Sequence, residues 1–311
     1  MGKGWSIFFG AVLLGTFLIW FAAPVFGWWL PENVSTFGGA VDNLFYMILG
    51  LTAVFFVLTE VVLVYAMWRF AYRPGEKAQY SHGNHRLEVV WTAVPAVLLL
   101  VIAFSQLSVW ERMKYQARMP APDLTISVLA RQWEWRMRYP EVPARFHYAE
   151  TGGIEEGSKK RAARAWAENP EIDDIHVANE VHVWKGANVK LYLRTQDVLH
   201  SFTLPNLRLK QDTLPGKTIP MWFQANKHNC RFVEKQDREG KPIGGDLVPF
   251  GGKQDAWEIS CQELCGGRHY AMRGRLYVHE TKESYDAWLA QTKRLQQART
   301  LETGIALGNG S

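Results

Sequence analysis

The sequence predicts a membrane-anchored α plus all-β protein: N-terminal transmembrane helices, then a Greek-key β-sandwich or barrel. Three observations carry this expectation. Charge is unevenly placed: Met1–Trp110 holds five acidic and five basic residues, whereas Glu111 onward holds 25 acidic and 30 basic, so the whole formal charge of +5 lies there. Three apolar runs in the first part reach the roughly 20 residues that a bilayer-spanning helix needs. After them the apolar pattern shortens to period two, the alternation of strands. A purely cytosolic enzyme and a disordered chain are excluded, and three cysteines in 311 residues cannot form a disulfide scaffold.

The apolar runs are Trp5–Trp29, Leu44–Trp68 and Val89–Trp110, with tryptophans at their ends where the ring suits the lipid–water boundary. The first (residues 1–30) fits either a secretory signal or a third transmembrane helix. Its core is long for a signal, and no clean small-x-small site follows it. The other two form a hairpin over residues 43–110. Loop Leu30–Asn43 has no Lys or Arg, whereas Arg69–Leu87 carries Arg69, Arg73, Lys77 and Arg86. The positive-inside bias therefore puts the second loop in the cytoplasm and everything beyond Trp110 outside. Glu60 lies within a span and should face protein or be protonated. Glu88 opens the third span and by itself reads as a boundary residue.

Residues 111–123, with Pro120 and Pro122, read as a linker. Short Val-, Ile-, Tyr- and Trp-rich strands follow at Leu124–Ala130, Gln132–Tyr139, Ile175–Trp184, Asn188–Thr195, Ser201–Leu204, Thr218–Ala225, Trp257–Ser260 and Gly274–His279, making residues 124–281 one β domain. Glu155–Glu168 reads as a short exposed helix. Asn229–Asp255, with seven Gly or Pro residues, reads as a long inserted hairpin or loop. Residues 282–311 read as a C-terminal helix and tail. No repeat, Gly-rich phosphate loop, CxxCH haem attachment or nucleic-acid signature stands out, so nucleic acid is not an expected partner.

The chemistry concentrates in Cys261-Gln-Glu-Leu-Cys265-Gly-Gly-Arg-His269-Tyr-Ala-Met272. Thiolate and thioether are soft ligands that select Cu(I) or zinc, and added imidazole favours a copper that cycles between Cu(I) and Cu(II). Thioether argues against zinc. His200, beside a strand and before Pro205, fits as a further donor from a distant loop. Alone, His200 reads as a hydrogen-bonded structural histidine and Met272 as core; the joint pattern reverses both readings. A Cys261–Cys265 disulfide would leave His269 and Met272 unexplained. Cys230 reads as a free, buried thiol.

These residues carry a resemblance. Leu87-Glu88-Val-Val-Trp91-Thr92-Ala-Val-Pro95, Gln132-Trp133-Glu134-Trp135, Asp197-Val-Leu-His200-Ser201-Phe202, Leu209-Lys-Gln-Asp212-Thr-Leu-Pro215-Gly216 and the Cys/His/Met stretch together resemble subunit II of the haem–copper cytochrome c oxidases, over about Asn43–Leu289. The resemblance implies a cupredoxin-like β-sandwich holding a binuclear copper (CuA) centre. Cys261 and Cys265 would bridge the coppers, His200 and Met272 would complete one, and His269 and the Glu263 carbonyl the other. It implies an electron relay in the bacterial cell membrane, with cytochrome c as donor and subunits I and III as partners. It implies further that electrons would pass to haem in subunit I, where O2 would be reduced to water with proton pumping.

The same resemblance assigns Trp133 as an exposed tryptophan that receives the electron, the Glu263 side chain to a magnesium site shared with subunit I, and Glu88 to the mouth of a proton channel. This chain departs from the family pattern in having Glu134 where tyrosine is common, a net basic outer domain, the inserted loop 229–255 and the extra first helix. Candidate acids for docking a basic cytochrome are Glu171, Asp173, Asp174, Asp197 and Asp212, but Arg136, Arg138, Arg208 and Lys210 lie near them in sequence. That balance points to an acidic, weakly charged or tethered donor. The alternatives are the CuA subunit of a nitric oxide reductase and a copper-carrying assembly or binding protein.

Overall fold

The computed structural model describes residues 4–77, 80, 82–139, 174–250 and 256–302. It divides into two compact units: residues 1–31 with 40–110, and residues 32–39 with 111–311.

The first unit is built on three helices, α1 (Gly4–Val25), α2 (Gly38–Arg69) and α3 (His85–Lys114), each long and apolar enough to cross a membrane. α1 runs antiparallel to α2: Ser6 is buried and its hydroxyl donates to the Val64 carbonyl at 3.1 Å, while the Trp29 indole N–H donates to the Tyr46 hydroxyl at 2.8 Å. α3 begins where Asn84 accepts the Leu87 N–H at 3.2 Å, an N-cap that satisfies an orphan donor. α3 continues through Glu111–Lys114, so the expected linker is four residues shorter, with a single 3-10 turn at Gln116–Arg118.

The second unit is a sandwich of two sheets. The first has the order β3-β2-β1-β5-β8, from β1 (Leu124–Arg131), β2 (Glu134–Tyr139), β3 (Ile175–Ala178), β5 (Asn188–Thr195) and β8 (Ile219–Gln224). The second has the order β10-β9-β12-β11-β6-β7, with β4 (Glu180–Trp184) also on β12. Its strands are β6 (His200–Leu204), β7 (Leu209–Thr213), β9 (Cys230–Gln236), β10 (Pro242–Pro249), β11 (Trp257–Cys261) and β12 (Arg273–His279). β1 pairs parallel with β5, and β12 parallel with β4. Side chains from both inner faces fill the core, among them Ile126, Trp135, Leu191, Phe202, Phe223 and Ile259, all fully buried. Each such side chain contributes about 1.5–3 kcal/mol by leaving water.

Four features differ from the expected strands. The stretch Ile175–Trp184 is two strands, broken at Asn179, whose φ is +58°. The break lets the chain leave β2 in one sheet and join β12 in the other. Asn179 suits the left-handed conformation, and its side chain accepts the Trp135 N–H at 2.8 Å. Gly274 completes the corner, because a Cβ there would lie 2.6 Å from the Asn179 carbonyl. Second, Leu209–Thr213 is strand β7, antiparallel to β6. Third, Asn229–Asp255, expected as an inserted hairpin or loop without assigned strands, contains the hairpin of β9 and β10, which turns where Asp237 accepts the N–H groups of Glu239 and Lys241. Fourth, the segment after α1 is not merely a connection. Val34 is fully buried, and the stretch bonds to Gln224, Ala225 and Asn226 at the end of β8.

Helix α4 (Lys282–Glu302) closes the sandwich. Thr281 caps it by accepting the Ser284 N–H, and Tyr285 and Trp288 are buried. The Trp288 ring stacks on His182 at 3.7 Å. Cys230 is a buried free thiol, pushed up to about 12 by burial. The expected helix Glu155–Glu168 lies outside the described residues.

Candidate metal centre

Two loops at the ends of β6 and β11 build the centre. β11 and β6 pair with Cys261 opposite Phe202, and the Gln262 N–H donates to the Ser201 carbonyl at 3.1 Å. Cys261 and His200, 61 positions apart, are thereby set side by side at the sandwich end. The chain then turns at Gly266 (φ +115°), makes a 3-10 turn at His269–Ala271 and re-enters the sheet at Arg273. That short excursion brings Cys265, His269 and Met272 back over Cys261.

The donor atoms converge. His200, Cys261 and Cys265 present theirs within 4.8 Å of one another, and all three residues are buried. Cys261 Sγ lies 3.9 Å from Cys265 Sγ, 4.0 Å from His200 Nδ1 and 3.3 Å from the Glu263 carbonyl oxygen. Cys265 Sγ lies 3.5 Å from His269 Nδ1 and 3.8 Å from Met272 Sδ. The two sulfurs are unbonded, since a disulfide needs about 2.05 Å. Donors sharing one metal at about 2.0–2.3 Å stand roughly 3–4 Å apart, which is the spacing here. Soft thiols and thioether with imidazoles make a set suited to copper.

Electrostatics prepare one thiolate. Burial pushes Cys261 up, but hydrogen bonding with His200 and with the backbone of Ser201 and Glu263 outweighs it, and the thiol is lowered to about 6. Burial and then the charge on Cys261 push Cys265 up to about 12. Burial disfavours the charged form of His200, yet Cys261 and Asp197 win and raise it. Asp197 Oδ1 sits 2.8 Å from His200 Nε2, leaving Nδ1 to face the sulfurs. The fully buried Trp135 packs edge-on beneath, against Phe202 at 5.0 Å and near the His200 ring at 6.1 Å.

The remaining expected residues divide. Trp133 is half-buried, not exposed: its ring lies against the ligand loop, 3.3 Å from where a Cβ on Gly266 would stand, because the glycine lets the loop close over it. Its indole nitrogen is buried without a partner among the described residues. Glu134, next to it, is held between Arg131 at 2.5 Å and Arg136 at 2.6 Å; these guanidinium groups overcome the opposing effect of burial and lower its carboxyl. Glu263 contributes its carbonyl to the cluster, and its half-buried side chain has no described partner there. Glu88 stands apart from this cluster in sequence, half-exposed in the first turn of α3 and 3.7 Å from His85 Nδ1.

Among the docking acids, Asp174 is buried against Arg138, Asp197 is occupied by His200, and Asp212 accepts the Ser201 hydroxyl at 2.6 Å. Only Asp174 is thereby removed from the surface; Asp197 and Asp212 remain exposed, each with one oxygen held by a neighbouring side chain. Glu171 and Asp173 lie outside the described residues. The contact of Asp197 with His200 is not announced by the residue type, since the sequence offers Asp197 only as a docking acid. The one available signal was an Asp three positions before His200, a spacing that suits a side chain folding back over a turn.

The fold and site define a class: a membrane-anchored β-sandwich carrying a buried thiol, imidazole and thioether cluster at one end. Comparison with known proteins gives the family. Residues 25–109 match the cytochrome c oxidase subunit II transmembrane domain, and residues 124–237 match the cytochrome c oxidase subunit II periplasmic domain. The chain belongs to the cytochrome c oxidase subunit II family and is a membrane protein with a periplasmic domain. It is 27% identical over 286 residues to the alternative cytochrome c oxidase subunit 2 of Bradyrhizobium diazoefficiens, covering 91% of this chain and 88% of that protein. It is 29% identical over 260 residues to cytochrome c oxidase subunit 2 of Cereibacter sphaeroides, covering 79% and 74%. Among solved structures, the periplasmic domain of subunit II of cytochrome oxidase of Bradyrhizobium japonicum aligns at 21% identity with a TM-score of 0.37, over 57% of this chain and 98% of that one. The family match begins at the last residue of α1 and ends before Cys261.

Proposed function

We propose that this chain is the electron-accepting subunit of a terminal haem–copper oxidase. It takes single electrons from cytochrome c on the periplasmic side and hands them towards haem in subunit I, where O2 is reduced to water with proton pumping. The observation that carries this reading is the convergence of His200, Cys261, Cys265, His269, Met272 and the Glu263 carbonyl on one small volume.

Cys261 and Cys265 would bridge a copper pair; His200 and Met272 would complete one metal, and His269 with the Glu263 carbonyl the other. A bound mixed-valence copper pair supplies a one-electron store at this place. The protein's part is to keep the donors still. The sheet holds Cys261 and His200, the 3-10 turn holds His269 and Met272, and burial excludes water, so little has to rearrange when charge arrives. Trp133, packed on the ligand loop, is the side chain placed to pass the electron inward. In this reading the Glu263 side chain reaches a magnesium shared with subunit I, and Glu88 stands at a proton-channel mouth on the cytoplasmic side. α2 and α3 anchor the chain beside subunit I, with subunit III a further partner.

The test is metal analysis and electron paramagnetic resonance on the full-length chain, purified in detergent with its partner subunits. The expected result is two coppers in this chain and a multiline mixed-valence signal, with O2 consumed when reduced cytochrome c is supplied. One copper, released easily to a chelator, would mark a copper carrier. Turnover with nitric oxide and not O2 would mark the reductase alternative.

A further inference from the structure

The two ligand-bearing loops are linked through one residue that belongs to neither. Gln132 lies between β1 and β2. Its backbone N–H donates to Asp197 Oδ2 at 2.7 Å, and Asp197 Oδ1 stands 2.8 Å from His200 Nε2. Its side-chain amide donates to the Cys265 carbonyl at 2.8 Å. We propose that Gln132 is a positioning residue for the metal centre, holding Cys265 directly and His200 through Asp197. This rests on the metal-centre reading above.

Each bond removes a specific freedom. An imidazole has two nitrogens, and a carboxylate on Nε2 leaves Nδ1 as the lone pair for a metal. Asp197 can do this only if it is itself held, and its other oxygen is held by the Gln132 backbone. Cys265 directly precedes Gly266, whose φ of +115° is open to glycine and whose carbonyl accepts the His269 N–H at 3.1 Å. The amide of Gln132 pins the carbonyl at that joint. The closeness of the approach is an independent sign. A Cβ on Gly266 would stand 3.0 Å from Gln132 Nε2 and 3.3 Å from Trp133 Cζ2, so a side chain at 266 would push out the amide that makes the bond.

The experiment uses the full chain, copper-loaded in detergent, with Gln132→Leu and Gly266→Ala. Gln132→Leu removes the donor while keeping the backbone N–H and much of the volume. Gly266→Ala keeps the donor but crowds it and also strains a backbone held at φ +115°, so its effect is read beside that of Gln132→Leu. Both variants are expected to lose copper to a chelator about 10–100-fold faster than wild type, the range typical of lost outer-shell partners. Their visible bands and copper hyperfine pattern should shift in the same sense. In the copper-free chain, mild oxidation should join Cys261 to Cys265 faster in both variants, because a looser loop lets the sulfurs close from 3.9 Å. Wild-type copper retention and an unchanged spectrum in Gln132→Leu would overturn the proposal. So would a lower melting temperature with a normal spectrum, since that describes a merely structural bond. If the wild-type chain itself binds no copper, the metal-centre reading fails and the proposal falls with it.

Discussion

The ligand cluster and the histidine pair beneath α4 are both buried, aromatic-walled and rich in ring nitrogens, yet only one of them can hold a metal. Under α4, His182 lies between Trp288 and Tyr277. Its Nδ1 is 3.2 Å from His279 Nε2 and its Nε2 is 3.4 Å from Glu180, while His279 Nδ1 is 3.0 Å from the Ser284 hydroxyl. Every ring nitrogen there has a hydrogen-bond partner, so no lone pair is left over. At the ligand loops the outer nitrogen of His200 is held by Asp197, and the inner nitrogen meets the sulfur of Cys261 at 4.0 Å, itself a candidate ligand. Burial lowers His279 to about 3, with a further push from His182, whereas Asp197 and Cys261 raise His200. Burial does not make a histidine a ligand; several unspent donor atoms facing one point do.

The sharpest way to separate the two regions is Cys261→Ser. It should abolish the copper pair completely by metal analysis, leaving the sandwich folded by circular dichroism. Retention of two coppers would erase the distinction.

Acid should act on the other region. His279 is neutral in the folded protein, with its value depressed to about 3 against about 6.5 in the unfolded chain. Above about pH 6.5 neither state binds the proton, and no penalty exists. As pH falls from 6.5 towards 3 the unfolded chain takes up the proton first. Stability is then lost at up to about 1.4 kcal/mol per pH unit. Denaturant midpoints of the copper-free chain at a series of pH values measure the slope, and His279→Gln should flatten it.

His182→Leu should cost about 1–3 kcal/mol, because it strands His279 without its partner, while copper content stays unchanged. Urea unfolding and metal analysis on one preparation check both halves. The smallest effect expected is from Thr281→Ala, which removes the α4 cap and should cost about 1 kcal/mol. A loss of copper in either variant would show that the two regions are coupled.

Legibility in the sequence followed the range of the forces involved. The spans were readable because roughly 20 apolar residues are needed wherever a bilayer is crossed. Most strands were readable from alternation, yet Ile175–Trp184 hid its break, because Asn179 differs from its neighbours only in tolerating a positive φ. β7 carries Lys210, Gln211 and Asp212 and has no apolar alternation to announce it. Val34 sits in a polar stretch, and its burial depends on the end of β8 from nearly two hundred positions away. At the metal centre, Cys261, Cys265, His269 and Met272 were legible as a set because one short loop holds them.

Covalent order alone thus established which part is apolar, which part alternates, and that four soft or imidazole donors lie within twelve residues. Folding decided the rest: that His200 meets Cys261, that Trp133 is tucked against Gly266, and that Asp174 is buried against Arg138 while Asp197 turns one oxygen to His200. The reason is geometric. Composition and spacing act along the chain, whereas a metal centre requires atoms within a few ångströms across strands that only sheet pairing brings together.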